Sequence, residues 1–329
     1  MSFISIVIPV YFNEQSLPLL LERLDALASA QSADQFEFIF VDDGSGDNSL
    51  AVLSRLAEQD KRVRVVRLSR NFGSNAAILA GLSYARGDCA AFIAADLQDP
   101  PEQLPEMIRL WKGGAEVVLA VRKDRRGDPF LTRVFAMAFN TAFATFVFKG
   151  MSPQGVGFFL IDRRVVDVVV ETAEKNAHLI GLILWSGFRR AVVEYDRVER
   201  QHGRSRWTFG KKLNYFVDAF VAFTYLPLRI SSALGVLLSI AGAIYAAIVL
   251  VARLMGNIPV EGWTALMIVV LLASGTQLLM LGVIGEYLWR NLDATRRRPP
   301  FIVASLLNVP ATRSDAPQVS AHPGMMEPN

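Results

Sequence analysis

The stretch with the most chemistry in it is FIAADLQDPPE, residues 92–102. Small apolar residues give way to Asp96, with Gln98, Asp99 and Glu102 close behind and two prolines that stop further strand pairing. A second apolar run, FEFIFVDDGS at 36–45, delivers Asp42 and Asp43 to a turn-forming Gly-Ser. A third, ISIVIPV at 4–10, leads into Tyr11-Phe12-Asn13-Glu14. Carboxylates and a carboxamide are hard oxygen donors, suited to Mg²⁺ or Mn²⁺, ions that keep several waters and bind substrate phosphates. Neither G-x-G-x-x-G nor G-x-x-x-x-G-K-[ST] occurs, so no glycine loop cradles a phosphate. Acidic groups alone would repel one. Two like charges 4 Å apart cost about 1 kcal/mol in water and about 4 kcal/mol at an effective dielectric of 20. A divalent cation between carboxylate and diphosphate reverses that sign. Asp96 and Gln98 are therefore the metal candidates, and a nucleotide diphosphate is the ligand the pattern fits. An isolated Asp before a proline would more simply cap a turn; Asp42 and Asp43 are what raise it to a site.

The elements that must position these groups are legible in the periodicity. ISIVIPV precedes a helix with Leu17, Leu20, Leu21 and Leu24 on one face. Strand patterns recur at 36–45, 63–69 (VRVVRLS), 89–96 (CAAFIAAD) and 115–122 (AEVVLAVR), with helical patterns between. Such alternation predicts a Rossmann-like α/β fold, a mainly parallel sheet with helices on both faces. Ligands of that architecture bind at the carboxyl ends of the strands, where the acidic groups fall.

Composition bounds the rest. The chain has 329 residues, 52% of them hydrophobic, and the apolar excess is concentrated after residue 229. Residues 230–252 and 262–285 carry no charge; at 1.5 Å per residue each makes a helix of roughly 35 Å, enough to cross a hydrocarbon core. Lys211, Lys212 and Arg229 precede the first span, and Arg290, Arg296, Arg297 and Arg298 follow the second, so the positive-inside rule puts both ends in the cytoplasm. The N-terminal run is too short for a signal core, and the tail after about 307 reads as disordered. The expected organisation is a cytoplasmic domain at 1–208, a juxtamembrane amphipathic helix at 209–229, spans at 230–252 and 262–285, and a cytoplasmic tail at 286–329. The apolar, aromatic stretch 130–148 follows an arginine-rich loop at 122–133 and suits a helix lying on the bilayer, with the arginines meeting lipid phosphates. A net charge of +3 argues against a nucleic-acid partner, and three His with one Cys, Cys89, give no zinc constellation and no internal disulfide.

IVIPVYFNE, VDDGS, ADLQDPPE and RQHGRSRW, in that order and followed by two apolar spans and GVIGEYLWR, resemble the family-2 glycosyltransferases with a GT-A fold. The likeness covers roughly residues 4–303 and is similar above all to the polyprenyl-phosphate glycosyltransferases, dolichyl-phosphate mannose synthase and the bactoprenol glucosyltransferases. The resemblance implies a multi-pass enzyme of the inner (cytoplasmic) membrane. It would move one sugar from a nucleotide sugar to undecaprenyl phosphate with inversion, supplying a lipid-linked donor for cell-envelope glycosylation. It implies that Pro9, Tyr11, Glu14, Asp42 and Asp43 bind the nucleotide, and that Asp96 and Gln98 hold Mg²⁺ or Mn²⁺. Arg122 and Arg133 would receive the lipid phosphate, and Arg200, Ser205 and Arg206 would close over the donor diphosphate. Asp96, Arg122 and Arg133 are the expected catalytic groups. A downstream flippase and membrane glycosyltransferase are expected partners, and a homo-oligomer stands open. Two positions depart from the pattern: many members carry a carboxylate where Ala94 and Gly157 stand here. A lipid phosphate is already ionised near neutral pH and needs no strong base, which suits a region without a His dyad.

Three readings compete. UDP-hexose, with glucose first, is the expected donor, and GDP-mannose the second. A processive glycan synthase would carry Q-x-x-R-W, whereas QHGRSRW has extra residues before Trp207. A non-catalytic membrane scaffold would fit Ala94 but not the retained Asp96, Arg200 and Arg206.

Overall fold

The structure, a computed structural model, describes residues 1–123, 141, 155–173, 179–198, 226–255, 263–296 and 298–309. The chain divides into two compact units, Met1–Leu213 with Pro299–Asn329, and Asn214–Arg298.

The first unit is built on a sheet of β1 (Phe3–Val10), β2 (Gln35–Asp42), β3 (Val63–Leu68), β4 (Cys89–Phe92), β5 (Val117–Arg122), β6 (Val156–Asp162), β7 (Arg190–Tyr195) and β8 (Val303–Leu307). Their spatial order is β7-β5-β6-β4-β1-β2-β3-β8. β1 pairs in parallel with β2 and β4, β2 with β3, and β5 with β7. β6 runs antiparallel between β4 and β5, and β8 antiparallel along β3. The sheet is thus mixed but mostly parallel, as the β-α alternation predicts. Val10, Asp42, Leu68, Phe92, Arg122 and Tyr195 all end on one edge, where β6 and β8 begin.

Helices cover both faces: α1 (Leu17–Ala30), α2 (Ser49–Gln59), α3 (Ser74–Tyr84), α4 (Leu104–Lys112), α5 (Arg163–Thr172) and α6 (Leu179–Trp185). The leucine stripe of α1 is buried as expected, with Leu27 extending it. It packs with Ile4, Ile6 and Ile8 of β1, with Phe36, Phe38 and Phe40 of β2, and with Met107 and Ile108 of α4. Burying each such side chain contributes about 1.5–3 kcal/mol. On α3 half of the buried residues are Ala or Gly, and a Cβ on Gly81 would lie 2.2 Å from Val7 Cγ1. The helix can approach β1 this closely only because position 81 has no side chain.

The structure differs from the sequence reading in three places. The strand expected at 89–96 stops at Phe92: Ile93 still donates to the Val7 carbonyl at 3.0 Å, but the chain then turns, with Leu97 left-handed at φ 61°. β6 and β7 are additional strands. The segment expected as a plain tail carries β8, whose register against β3 runs from Val303↔Leu68 to Leu307↔Val65. Asn308 then fastens the strand end by donating to the carbonyls of Ala57 (2.5 Å) and Val63 (3.1 Å).

The second unit holds two long helices, α7 (Leu226–Leu254) and α8 (Trp263–Thr295). Leu228–Tyr245 of α7 has a mean hydropathy of 1.6 with only 6% of the stretch buried, and is long and apolar enough to cross a membrane. It is the one stretch among the described residues that meets this test. α8 runs past residue 285 to Thr295 and carries an ion pair between Arg290 and Glu286 at 2.9 Å. The two helices touch where Gly235 faces Met280. The stretches 130–148, apart from residue 141, and 209–225 lie outside the described residues.

Candidate functional site

The carboxyl edge of the sheet holds two groups of polar residues. The first lies after β1 and β2. Val10 and Asp42 are in register, and the Asp43 amide donates to the Val10 carbonyl at 2.9 Å. The β1–α1 turn is braced by side chains from the β2–α2 loop. Phe12, left-handed at φ 59°, donates through its amide to Ser45 Oγ (3.2 Å), and the Asn13 amide donates to Ser49 Oγ (2.9 Å). Glu14 returns the bracing by accepting from the Asn48 amide at 2.9 Å. Pro9 and Tyr11 are half-buried beside it. Gly44 makes the sharp turn after β2 possible: it sits at φ 69°, and a Cβ there would meet the Arg70 carbonyl carbon at 2.7 Å.

Asp42 and Asp43 are neighbours with different employment. Asp43 accepts from the Phe72 amide (2.7 Å) and the Gly73 amide (2.9 Å), one on each oxygen, and so holds the turn that starts α3. Its carboxyl lies above the usual range because burial outweighs those two bonds. Asp43, expected at the nucleotide, lies on this edge with each oxygen accepting from one backbone amide of the fold. Asp42 is 1% exposed; its Oδ1 accepts from the Ser45 amide at 3.1 Å, while its Oδ2 has no hydrogen-bond partner among the described residues. A buried acceptor left unsatisfied costs about 1–3 kcal/mol, so Asp42 Oδ2 is a ready acceptor for a ligand's N–H or O–H.

The second group follows β4. Ala95, Leu97 and Asp99 are buried while Ala94, Asp96 and Gln98 are half-exposed. Ser16 Oγ ties this segment to α1 by donating to the Ala95 carbonyl at 2.7 Å. Asp96 Oδ1 accepts from the Gln98 amide at 3.3 Å. Behind the turn, Asp99 is 4% exposed and accepts from the Tyr195 hydroxyl at 2.5 Å. Burial raises the Asp99 carboxyl, against the hydrogen bond from Tyr195 and the charges of Arg197 and Arg122. Burial also pushes the Tyr195 hydroxyl up, helped by Asp99, so the tyrosine donates at any physiological pH. Arg122, paired with Tyr195 in the β5–β7 register, has its guanidinium at that hydroxyl, and its Nε is buried without a hydrogen-bond partner among the described residues. Gly157 opens the space these groups occupy: a Cβ there would lie 1.8 Å from Tyr195 Oη.

Of the residues expected from sequence, Pro9, Tyr11, Glu14, Asp42, Asp96, Gln98 and Arg122 gather along this edge. Arg133, Arg200, Ser205 and Arg206 lie outside the described residues. Tyr195, Arg197 and Gly157's role as its host were not foreseen; Asp99 was noticed only as a neighbour of Asp96. The bonds from Tyr195 to Asp99 and from Arg197 to Gln98 span 96 and 99 residues, and no local motif announces them.

The donor set fits a divalent ion in part. Asp96 supplies a carboxylate at the half-exposed edge of the turn. Gln98 Oε1 accepts from Arg197 Nη2 at 2.6 Å in this arrangement, which leaves one lone pair of the amide oxygen. No group of three or more His, Cys, Asp or Glu that could hold a metal occurs among the described residues. That suits the Mg²⁺ pattern of one or two carboxylates completed by substrate phosphates and water, and does not suit an all-protein cage.

Comparison with known proteins gives a consistent picture. The family model described as glycosyl transferase family 2 matches residues 5–169. The chain is 40% identical to the uncharacterized glycosyltransferase YkcC of Bacillus subtilis, over 91% of this chain and 92% of that one. It is 32% identical to the bactoprenol glucosyl transferase of Shigella phage SfV, over 91% and 97%. It is 35% identical to the undecaprenyl-phosphate 4-deoxy-4-formamido-L-arabinose transferase of Pseudomonas syringae, over 93% and 91%.

Proposed function

The chain belongs to glycosyl transferase family 2, and from that premise we propose that it transfers a single sugar from a nucleotide sugar to a polyprenyl phosphate at the cytoplasmic face of a membrane. The observation that carries the reading is the pairing of two unlike acidic groups on one sheet edge. Asp42 offers a buried, unfilled acceptor, and Asp96 offers a half-exposed carboxylate on the turn after β4. The relatives named for bactoprenol and undecaprenyl phosphate, each matched over at least 91% of this chain, supply the acceptor class.

In this reading Asp42 accepts from the base or ribose of the donor, beside Tyr11, Glu14 and Pro9. Asp96 would hold Mg²⁺ or Mn²⁺, which when bound neutralises charge between carboxylate and diphosphate. Gln98 would join it through the remaining lone pair of Oε1, whose other one accepts from Arg197. The lipid phosphate oxygen forms a bond to the anomeric carbon as the bond from that carbon to the diphosphate oxygen breaks. The nucleoside diphosphate leaves, and in-line attack inverts the centre. An ionised phosphate needs no protein base, so the protein's work is orientation and charge stabilisation. Arg122, at the tip of β5, would meet the lipid phosphate, with Arg133 as its expected partner. Arg200, Ser205 and Arg206 would close over the donor. A UDP-hexose, glucose first, is the proposed donor, with GDP-mannose second.

α7 and α8 are proposed as the two membrane spans, with both termini in the cytoplasm. A Cys placed at Asn257 is then labelled from outside, and labelling only from inside would reverse the topology. The reaction is tested with a panel of radiolabelled nucleotide sugars, undecaprenyl phosphate and extraction into organic solvent. A lipid-linked monosaccharide is the expected product. Polymer would indicate a processive synthase. No product with any donor would favour a membrane scaffold, the reading that Ala94 and the engaged Gln98 support.

A further inference from the structure

The metal-candidate turn is held from behind by a strand that the sequence gives no reason to connect with it. Tyr195 closes β7, and its hydroxyl donates to Asp99, the residue directly after Gln98. The next residues continue the attachment: Arg197 Nη2 donates to Gln98 Oε1 at 2.6 Å, and the Val198 amide donates to the Gln98 carbonyl at 3.0 Å. The same strand end is fixed to β5, since the Lys123 amide donates to the Tyr195 carbonyl at 3.0 Å. The 96–99 turn and the tip of β5, which carries Arg122, are therefore joined through one residue.

The space that residue needs exists only because position 157 is glycine. A Cβ there would fall 1.8 Å from Tyr195 Oη and 2.8 Å from its Cζ, so any side chain at 157 would evict the tyrosine. Gly157 is not in the left-handed region and is not needed for backbone freedom, which leaves the tyrosine as its reason. The ring is held independently, edge-on to Phe158 with centroids 5.0 Å apart. Leu97, left-handed beside the turn, shows that the segment is kept in a conformation most residues avoid, and such a conformation persists where surrounding contacts impose it.

We propose that Tyr195 is a positioning residue, lodged in the volume left by Gly157, whose bond to Asp99 sets the Asp96–Gln98 turn in the conformation that receives a metal-bound nucleotide. This rests on the functional reading above for the identity of the ligand, but not for the geometry of the latch.

Two readouts on the full-length, detergent-solubilised protein separate those claims. The first needs no ligand: hydrogen exchange across residues 93–104 in Tyr195→Phe, which removes only the hydroxyl. The second is calorimetric titration with UDP or GDP in the presence of Mn²⁺. Losing one buried hydrogen bond to a carboxylate should speed exchange in that peptide, weaken nucleotide binding by about tenfold or more, and lower the thermal midpoint modestly. Gly157→Ala should reproduce both effects with a larger loss of stability, because the whole tyrosine must leave. Combining Gly157→Ala with Tyr195→Leu should recover the thermal midpoint but not the binding, a split that a merely structural role would not produce. Unchanged exchange in Tyr195→Phe would overturn the latch. Faster exchange with unchanged nucleotide affinity would reduce it to a packing contact and overturn the positioning role. A wild type that binds neither nucleotide would overturn the functional reading and the positioning role together, while the exchange result would still report on the latch.

Discussion

Two carboxylates of β2 sit five residues apart, both 1% exposed, and lead opposite lives. Glu37, toward the amino end of the strand, has a protein partner on each oxygen: hydrogen bonds on Oε1 and an ion pair on Oε2. It accepts from Ser5 Oγ at 2.5 Å and from the Arg86 amide at 2.7 Å, and pairs with the Arg64 guanidinium. Ser5 Oγ in turn accepts from the Gly87 amide at 2.9 Å. Asp42, at the carboxyl end, has one oxygen on the Ser45 amide and one with no hydrogen-bond partner among the described residues. Equal burial with a paired cation beside one group and none described beside the other separates a carboxylate that builds the fold from one that can take a ligand.

That contrast can be broken most severely at Glu37. Glu37→Ala strands Arg64 in a buried position, and removing one partner of a buried pair costs about 3–5 kcal/mol. Thermal unfolding should show a large fall in midpoint, while surviving folded protein binds nucleotide normally; an unchanged midpoint would mean the amino-edge network is dispensable. Next in size is Asp96→Asn. It should lower turnover by about two orders of magnitude, roughly 2.7 kcal/mol of transition-state stabilisation, without moving the midpoint. EDTA should act likewise and Mn²⁺ or Mg²⁺ should restore the wild type, whereas full turnover in chelator would remove the metal from the mechanism. Asp42→Asn should fold as the wild type and weaken nucleotide binding by about tenfold, 1.4 kcal/mol, in a calorimetric titration. A drop in stability with intact binding would place Asp42 beside Glu37, as another fold-building group.

The smallest effect concerns Asp43, whose folded-state carboxyl is raised by burial. A raised acid holds its proton better when folded. Its stabilising contribution is therefore complete below the unfolded value of about 3.9 and is lost as pH rises through the higher folded value. Asp43→Asn should flatten that part of the midpoint-versus-pH curve by less than the Asp42 effect, as read from thermal scans at a series of acidic pH values. An identical curve would show that burial of Asp43 leaves no trace in stability.

Much of the architecture was legible because it is local. The leucine stripe of α1 and the strand runs before Tyr11, Asp42 and Asp96 repeat at the periods that helices and parallel strands impose. The acidic groups could be found for the same reason, since in a mostly parallel sheet the ends of the runs share an edge. What escaped was set by pairing across long separations. β6 runs against its neighbours, and its VGFFLID is as apolar as a helix core, so nothing local marks it as a strand. Asp43 looks as available as Asp42 until the Phe72 and Gly73 amides are seen on it. Gln98 shows no partner in the sequence, yet Arg197 lies on its oxygen. Tyr195 is only a residue after an apolar run until Gly157 is seen to make room for it.

β8 has a consequence for how the molecule is made. β3 acquires its outer neighbour from residues 303–307, which follow both long helices in the chain. During synthesis the edge of β3 must wait, its amides and carbonyls exposed, until both long helices and residues 303–307 have been made. A version cut before α7 to obtain a free-standing catalytic domain would keep every acidic residue of the site and still display that open edge. An unpaired strand edge is a template for another chain. Such a truncation should precipitate or self-associate, and grafting residues 299–309 back through a flexible connector should restore a well-behaved monomer more effectively than any change at the surface.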